Sequence, residues 1–216
     1  MTLSRADRAR FESWMTWFVA HLMRFIGRHW LLLANLGIGL YIGLAVLAPT
    51  LAHAGRTGGA RTIYTLFSPL CHQLPERSFF LFGPQYTYTR PELVALAGGE
   101  LSRRYVGSAQ VGYKMAICER CTGIYAVWLG LGGCFALVRR RVKPARLRSL
   151  ALLVAPIAID GLGQLAGLWE STWALRLATG GLFALALVWL TYPYLEQGMQ
   201  DMHADALRML EEVRRE

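Results

Sequence analysis

Four stretches of the chain are too long and too apolar to be ordinary core. Trp30 to Ala52 carries no charged residue over a length that crosses the hydrocarbon layer of a bilayer. Gly123 to Val138 is a second charge-free run, and Cys118 to Thr122 extends it outward to spanning length. Leu150 to Leu168 admits one acid, Asp160, and Trp173 to Tyr194 one base, Arg176. Runs of about 20 apolar residues span as helices, because a helix satisfies its own backbone in lipid. The pattern predicts an all-α integral membrane protein with four transmembrane helices. Both flanks have a different periodicity. From Phe11 to Ile26, Trp14, Trp17, Phe18, Leu22 and Phe25 recur at helical spacing while the arginines and His21 fall largely elsewhere. This predicts an amphipathic helix lying on the inner membrane surface. Glu196 to Glu216 mixes acids and bases at helical spacing, with no glycine after Gly198. It should project into the cytoplasm as a helix and offer a surface for homo-oligomerisation. The expected division is an interfacial arm (1–29), a membrane domain (30–194) with an ordered outer loop (53–117), and a cytoplasmic helix (195–216).

Charge orients these spans. The connection Arg139-Arg140-Arg141-Val142-Lys143-Pro144-Ala145-Arg146-Leu147-Arg148 is dense in basic residues, which assigns it to the cytoplasm. Arg5, Arg8, Arg10, Arg24 and Arg28 ahead of the first span agree, so both termini are expected inside. The outer segment also carries seven Lys/Arg, but a loop that long translocates largely regardless of charge. Composition changes little: 54% hydrophobic and 17% charged is a membrane balance, and the net charge of +9 is mainly a topology signal. No interleaved aromatic-basic pattern suggests nucleic acid. No cleavable signal peptide is expected, because the first apolar run is too long for a signal core. The localisation that follows is a membrane crossed several times, with both termini inside.

Within the outer loop, Ile63 to Leu70 is an apolar run too short to span, suited to a short helix at the membrane surface. Phe79 to Tyr88 is aromatic, β-prone chain broken at Gly83-Pro84, which suggests a small hairpin capping the outer mouth. Leu93 to Arg104 suggests another short helix.

Candidate chemistry brackets this loop. Cys118-Glu-Arg-Cys121 stands at the first turn of the second span, and Cys71-His72-Gln73 lies upstream. A C-x-x-C opening a helix points both thiols to one side, and the helix N-terminus favours the thiolate. Three thiols and the imidazole of His72 make a complete ligand set for a transition metal, zinc first. Adjacent Cys71 and His72 do not easily reach one ion together, so Cys71 alone is the simpler donor. Two alternatives stay open: thiol-disulfide exchange by Cys118 and Cys121 with Cys71 as third partner, and a static disulfide. Cys134, deep in the second span, reads as a small buried hydrophobe.

Four motifs in order carry a resemblance. They are Cys71-His72-Gln73-Leu74-Pro75-Glu76-Arg77-Ser78-Phe79, then Cys118-x-x-Cys121-Thr122-Gly123-x-Tyr125, then Pro156-x-x-x-Asp160-Gly161-x-x-Gln164, then Glu170-Ser171-Thr172-x-x-x-Arg176-x-x-Thr179-Gly180. Over roughly Tyr64 to Tyr194 the chain resembles the domain-of-unknown-function 2085 family of prokaryotic polytopic membrane proteins. The resemblance implies a location in a prokaryotic inner membrane and no established activity.

Asp160 and Gln164 share a face of the third span, about 12 and 6 Å deep by helical rise. Arg176 enters the fourth span from the same outer end. A buried acid and a buried base on consecutive antiparallel helices are expected to face each other, because either alone is costly in lipid. With Glu170 they outline a polar pocket below the cysteines; Asp160 joins Cys118 and Cys121 as a catalytic candidate. The favoured function is an outward-facing Cys/His site holding zinc above that pocket. The rivals are a membrane thiol-disulfide oxidoreductase and an oligomeric transporter or structural membrane subunit. No P-loop, dinucleotide fingerprint, G-x-S-x-G or H-E-x-x-H occurs, so no nucleotide cofactor is expected.

Overall fold

The computed structural model describes residues 5–102, 104–139 and 141–215. The elements run α1 (Arg5–His53), α2 (Thr57–Phe67), a 3-10 turn (Pro75–Arg77), β1 (Ser78–Leu81), α3 (Arg90–Leu96), β2 (Gly107–Ser108), β3 (Gly112–Cys118), α4 (Glu119–Val138), α5 (Leu147–Leu165) and α6 (Trp173–Arg215). Four helices, α1, α4, α5 and α6, are long and apolar enough to cross a membrane. Leu32, Leu36 and Leu40 of α1 and Leu152, Ile159 and Leu162 of α5 are exposed. Such surfaces suit acyl chains rather than water.

The helices differ from expectation in continuity. Helix α1 runs on from the arm into the first span, and α6 continues through Pro193 from the fourth span into the tail. A helix turning to lie flat on the membrane needs a break, and a lone Gly27 does not supply one. Instead the two extensions pack together, so closely that a Cβ on Gly27 would stand 2.7 Å from the Met199 carbonyl oxygen. Above them Trp30, Leu31, Phe135, Val188 and Tyr192 join α1, α4 and α6 in one apolar core. The Trp30 and Phe135 rings meet Tyr192 edge-on, each at 5.3 Å.

Helix α6 is the hub against which α1, α4 and α5 pack. Its approach to α4 depends on two glycines, one on each side. A Cβ on Gly123 would lie 2.6 Å from the Leu177 carbonyl oxygen, and one on Gly180 would lie 2.6 Å from that of Arg120. Gly180→Ala should therefore destabilise the bundle by about 1–3 kcal/mol through overpacking. Gly133→Ala meets nothing within 4 Å and should be neutral or slightly stabilising. Thermal unfolding of both variants in detergent checks the contrast; equal melting temperatures would refute the close crossing.

The outer segment corrects the all-α expectation with a three-stranded antiparallel sheet, in the order β1-β3-β2. Phe80 pairs with Lys114 and Leu81 with Tyr113, while Gly107 opposes Tyr113 from the other side. The aromatic run does start a strand, but its return past Gly83-Pro84 forms no ladder. One bond, Phe80 N–H to the Tyr86 carbonyl at 2.8 Å, closes that loop, and β1 pairs with distant β3 instead. The expected helix at Leu93 begins earlier, because Thr89 and Glu92 form a capping box around Pro91. It ends before Gly98 and Gly99, both at positive φ. Phe80, Tyr88, Leu93 and Val111 give the cap a small core of its own. A larger cluster fastens the cap to the membrane helices: Ala45, Ala48 and Ala52 of α1, Ile63, Tyr64 and Phe67 of α2, and Met115 to Ile117 of β3.

A candidate metal centre above a ring of buried charges

Cys71 belongs to that larger cluster and is held there by a polar lock. The fully buried Lys114 donates from Nζ to the Gln73 carbonyl at 2.6 Å. Gln73 donates from Nε2 to the Tyr64 carbonyl at 2.9 Å, and the Tyr64 hydroxyl donates to the Lys114 carbonyl at 2.5 Å. The cycle ties α2, the Cys71 loop and β3 together. Gln73 itself takes a positive φ of 50°, so the chain turns sharply just after Cys71.

The turn brings Cys71 to the end of β3, where the strand passes into α4. The Cys118 N–H donates to the Cys71 sulfur at 3.2 Å. The Sγ atoms of Cys71, Cys118 and Cys121 all lie within 4.8 Å of one another, and none is in a disulfide. Hydrogen bonds from the Cys118 and Cys121 thiols, with further ones from the Gln73 and Cys118 backbone, hold Cys71 far below the ordinary thiol range. Burial opposes this and loses. Three thiols thus converge from two segments, and backbone donors favour a thiolate on one of them.

Donor geometry suits a metal. Three thiolates about 2.3 Å from one tetrahedral ion stand about 3.8 Å apart, within the envelope these sulfurs already occupy. His72 is exposed and lies outside the three-thiol group, which departs from its expected place as a fourth ligand. The turn at Gln73 buries Cys71 and Gln73 and leaves the residue between them at the surface. Cys134 is likewise exposed, on the lipid side of α4 rather than buried. On the bundle side of the thiols, Tyr41 of α1 packs against Phe67 and Tyr125 with ring separations of 4.6 and 4.4 Å.

The two residues between Cys118 and Cys121 reach the other way, into the bundle. Arg120 donates from Nη2 to Asp160 Oδ2. Arg176 donates from Nη1 to Glu119 Oε2 at 2.8 Å. Gln164 joins the pairs, donating from Nε2 to Asp160 Oδ2 at 3.0 Å and accepting Arg176 Nη2 on Oε1 at 3.3 Å. Since Glu119 and Arg120 are neighbours in the chain, the five side chains close a ring. Glu119, Asp160 and Arg176 are each more than nine-tenths buried. Two acids and two bases sum to zero, which is what a site at membrane depth requires.

The expected direct pairing of Asp160 with Arg176 is corrected. Each pairs with a residue of α4, because the Gly123–Gly180 crossing presses the first turn of α4 against α6, between the two partners. Asp160 receives one more donor. Gly167, at φ 70°, ends α5 and turns the chain back so that the Trp169 indole lies over Gly163 and donates to Asp160 Oδ1 at 3.4 Å. The same turn leaves Glu170 exposed and outside the ring, where a place in the pocket was expected. Glu119 and Arg120 are the residues that the thiol pattern concealed. One signal could have found them: an adjacent acid and base in a spanning segment, where the remaining spans offer one base and one acid.

Comparison with known proteins covers the C-x-x-C and the charge ring, and the family match leaves Cys71 outside it. Residues 109–190 match the family described as "Predicted membrane protein (DUF2085)". An uncharacterized protein of Methanocaldococcus jannaschii is 30% identical over 155 residues, covering 68% of this chain and 80% of that protein. An uncharacterized protein of Methanothermobacter thermautotrophicus is 40% identical over 72 residues, 32% of this chain and 62% of that protein. No solved structure matches.

Proposed function

The chain belongs to the domain-of-unknown-function 2085 family of predicted membrane proteins, and on that premise we propose that it holds a transition metal, zinc, on the outer face of a prokaryotic cell membrane. The observation that carries this reading is the convergence of Cys71, Cys118 and Cys121 within 4.8 Å. Thiolates are soft donors and select zinc or copper(I) over magnesium or calcium. Three protein ligands leave a fourth position for water or an incoming ligand, the pattern of a reactive rather than a closed structural zinc site. Backbone N–H groups on the Cys71 sulfur fix and charge that ligand as an outer shell does. The charge ring beneath belongs to the same device: Glu119 and Arg120 anchor the C-x-x-C turn to α5 and α6, so the thiols sit on a braced helix end.

The test is elemental analysis of the purified protein with a free-thiol count on the same sample. The expected result is about one zinc per chain, with Cys71, Cys118 and Cys121 reduced. Metal-free protein with two of the three oxidised would overturn the reading and favour thiol-disulfide exchange. That second reading draws on the same contact, since Cys71 stands within reach of both C-x-x-C sulfurs.

Outward orientation is the other half of the proposal, supported by the basic α4–α5 connection. A membrane-impermeant thiol label on intact cells should reach cysteines introduced at Tyr86 or Leu96, both exposed on the cap, and none introduced at Arg141 or Lys143. Labelling of the basic connection from outside would move the thiol site to the cytoplasm.

A further inference from the structure

The opposite end of α4 carries a site that the thiol chemistry does not use. A cavity of about 630 Å³ opens there between α1, the α4–α5 connection and α6. Its walls include Arg28 of α1, Arg139 at the C-cap of α4, and Glu196, Gln200 and His203 of α6. A 20-residue helix separates it from Cys118, roughly 30 Å along the axis.

Three apolar segments end at this cavity. Arg28 stands two residues before Trp30, Arg139 directly follows Val138, and Glu196 lies two beyond Tyr194. The cavity is therefore at headgroup level. Its connection wall is pinned. Pro193 has no N–H, which frees the Trp189 carbonyl from the helix ladder, and that oxygen accepts the Ala145 N–H at 3.3 Å. The Trp189 indole then donates to the Lys143 carbonyl at 3.1 Å.

The single acid in the wall is fully engaged. Glu196 is buried, accepts the Trp30 indole at 2.9 Å and the Gln200 amide at 2.6 Å, and lies 3.6 Å from Arg139 Nε. Arg28 is exposed at the rim and has no acidic partner among the described residues. The wall thus carries one uncompensated cation, and the connection adds Arg141 and Lys143 close by. Further into the bilayer, α4 and α6 present exposed Leu137, two residues before Arg139, and Leu190, six before Glu196, where acyl chains would run.

We propose that this cavity binds the headgroup of an anionic phospholipid, with Arg28 and Arg139 on its phosphate and Gln200 on its polar ester or hydroxyl groups. Basic pockets between spanning helices take such headgroups, each cation at the surface adding roughly fivefold in affinity. The volume is far more than a lone ion needs, and the apolar helix surface beside it favours a lipid over a soluble phosphate.

The test uses delipidated full-length protein in neutral detergent, with melting temperature followed against added phosphatidylglycerol, phosphatidylcholine or inorganic phosphate. Phosphatidylglycerol should raise the melting temperature and the other two should not. Arg28→Gln removes an exposed cation with no acidic partner among the described residues, so the protein should fold normally yet need about fivefold more phosphatidylglycerol for the same shift. Arg139→Gln should weaken the response too, at some cost to folding, since it unpairs Glu196. An equal shift with phosphatidylcholine, or an unchanged response in Arg28→Gln, would overturn the site. A shift produced equally by inorganic phosphate would overturn the lipid as its occupant.

Discussion

Arg176→Gln is expected to destabilise the bundle by about 3–5 kcal/mol, because it strands the Glu119 carboxylate in a site with little water. Reversible unfolding in mixed detergent micelles measures the loss. The informative quantity is the coupling, since the structure specifies which residues share it. Glu119→Gln combined with Arg176→Gln should recover much of the single loss, with a coupling energy toward the upper end of the usual 0.5–3 kcal/mol range. Asp160→Asn with Arg120→Gln should behave likewise. Asp160→Asn combined with Arg176→Gln should recover far less, because those two meet only through the Gln164 amide. Gln164→Leu should cost less than any charge removal and should reduce that indirect coupling. If instead Asp160 and Arg176 couple most strongly, the crossed pairing through α4 is wrong.

That pairing also marks how far the sequence could be read. The four spans were legible because lipid permits few departures from an apolar run of fixed length. The continuity of α1 and α6 was not. Helix ends are inferred from Gly, Pro and changes in periodicity, and here Gly27 and Pro193 both sit inside a helix. At Gly27 a Cβ would stand 2.7 Å from the Met199 carbonyl of α6, and Pro193 frees a carbonyl that the α4–α5 connection uses. Strand β3 was also hidden. Its partner β1 lies far upstream, and Gly112 to Cys118 looks like an approach to the C-x-x-C rather than an element. At the site, cysteine spacing groups Cys118 and Cys121, since a C-x-x-C at a helix start constrains two sulfurs locally. The positions of Cys71 and His72 depended on one backbone turn at Gln73, which no local rule predicts for a non-glycine residue. For Asp160 and Arg176, depth alone suggested a pair. Depth says nothing about which third helix intervenes, and the Gly123–Gly180 contact decides that.

The second large effect concerns the thiols themselves. Removing one ligand from a three-thiolate site should cost more than the 10–100-fold loss typical of an outer-shell change, so Cys118→Ser, Cys121→Ser and Cys71→Ser should each weaken zinc affinity by more than about 100-fold. Cys134→Ser should leave affinity unchanged, because that thiol is exposed on α4 outside the three-thiol group. His72→Ala separates two versions of the site. The imidazole is exposed and outside the sulfur cluster, so zinc should be retained; loss of the ion would make His72 the fourth ligand and require the Cys71 loop to close further on binding. Competition with a chromophoric chelator gives each affinity. Cobalt(II) substituted for zinc reports the ligand set independently, through thiolate charge-transfer absorption. In wild type and His72→Ala the spectrum should match three sulfurs in a tetrahedral field, and it should weaken in each ligand variant. Retention of wild-type affinity by Cys71→Ser would confine binding to the C-x-x-C pair and remove the ligand that the Tyr64–Gln73–Lys114 lock holds in place.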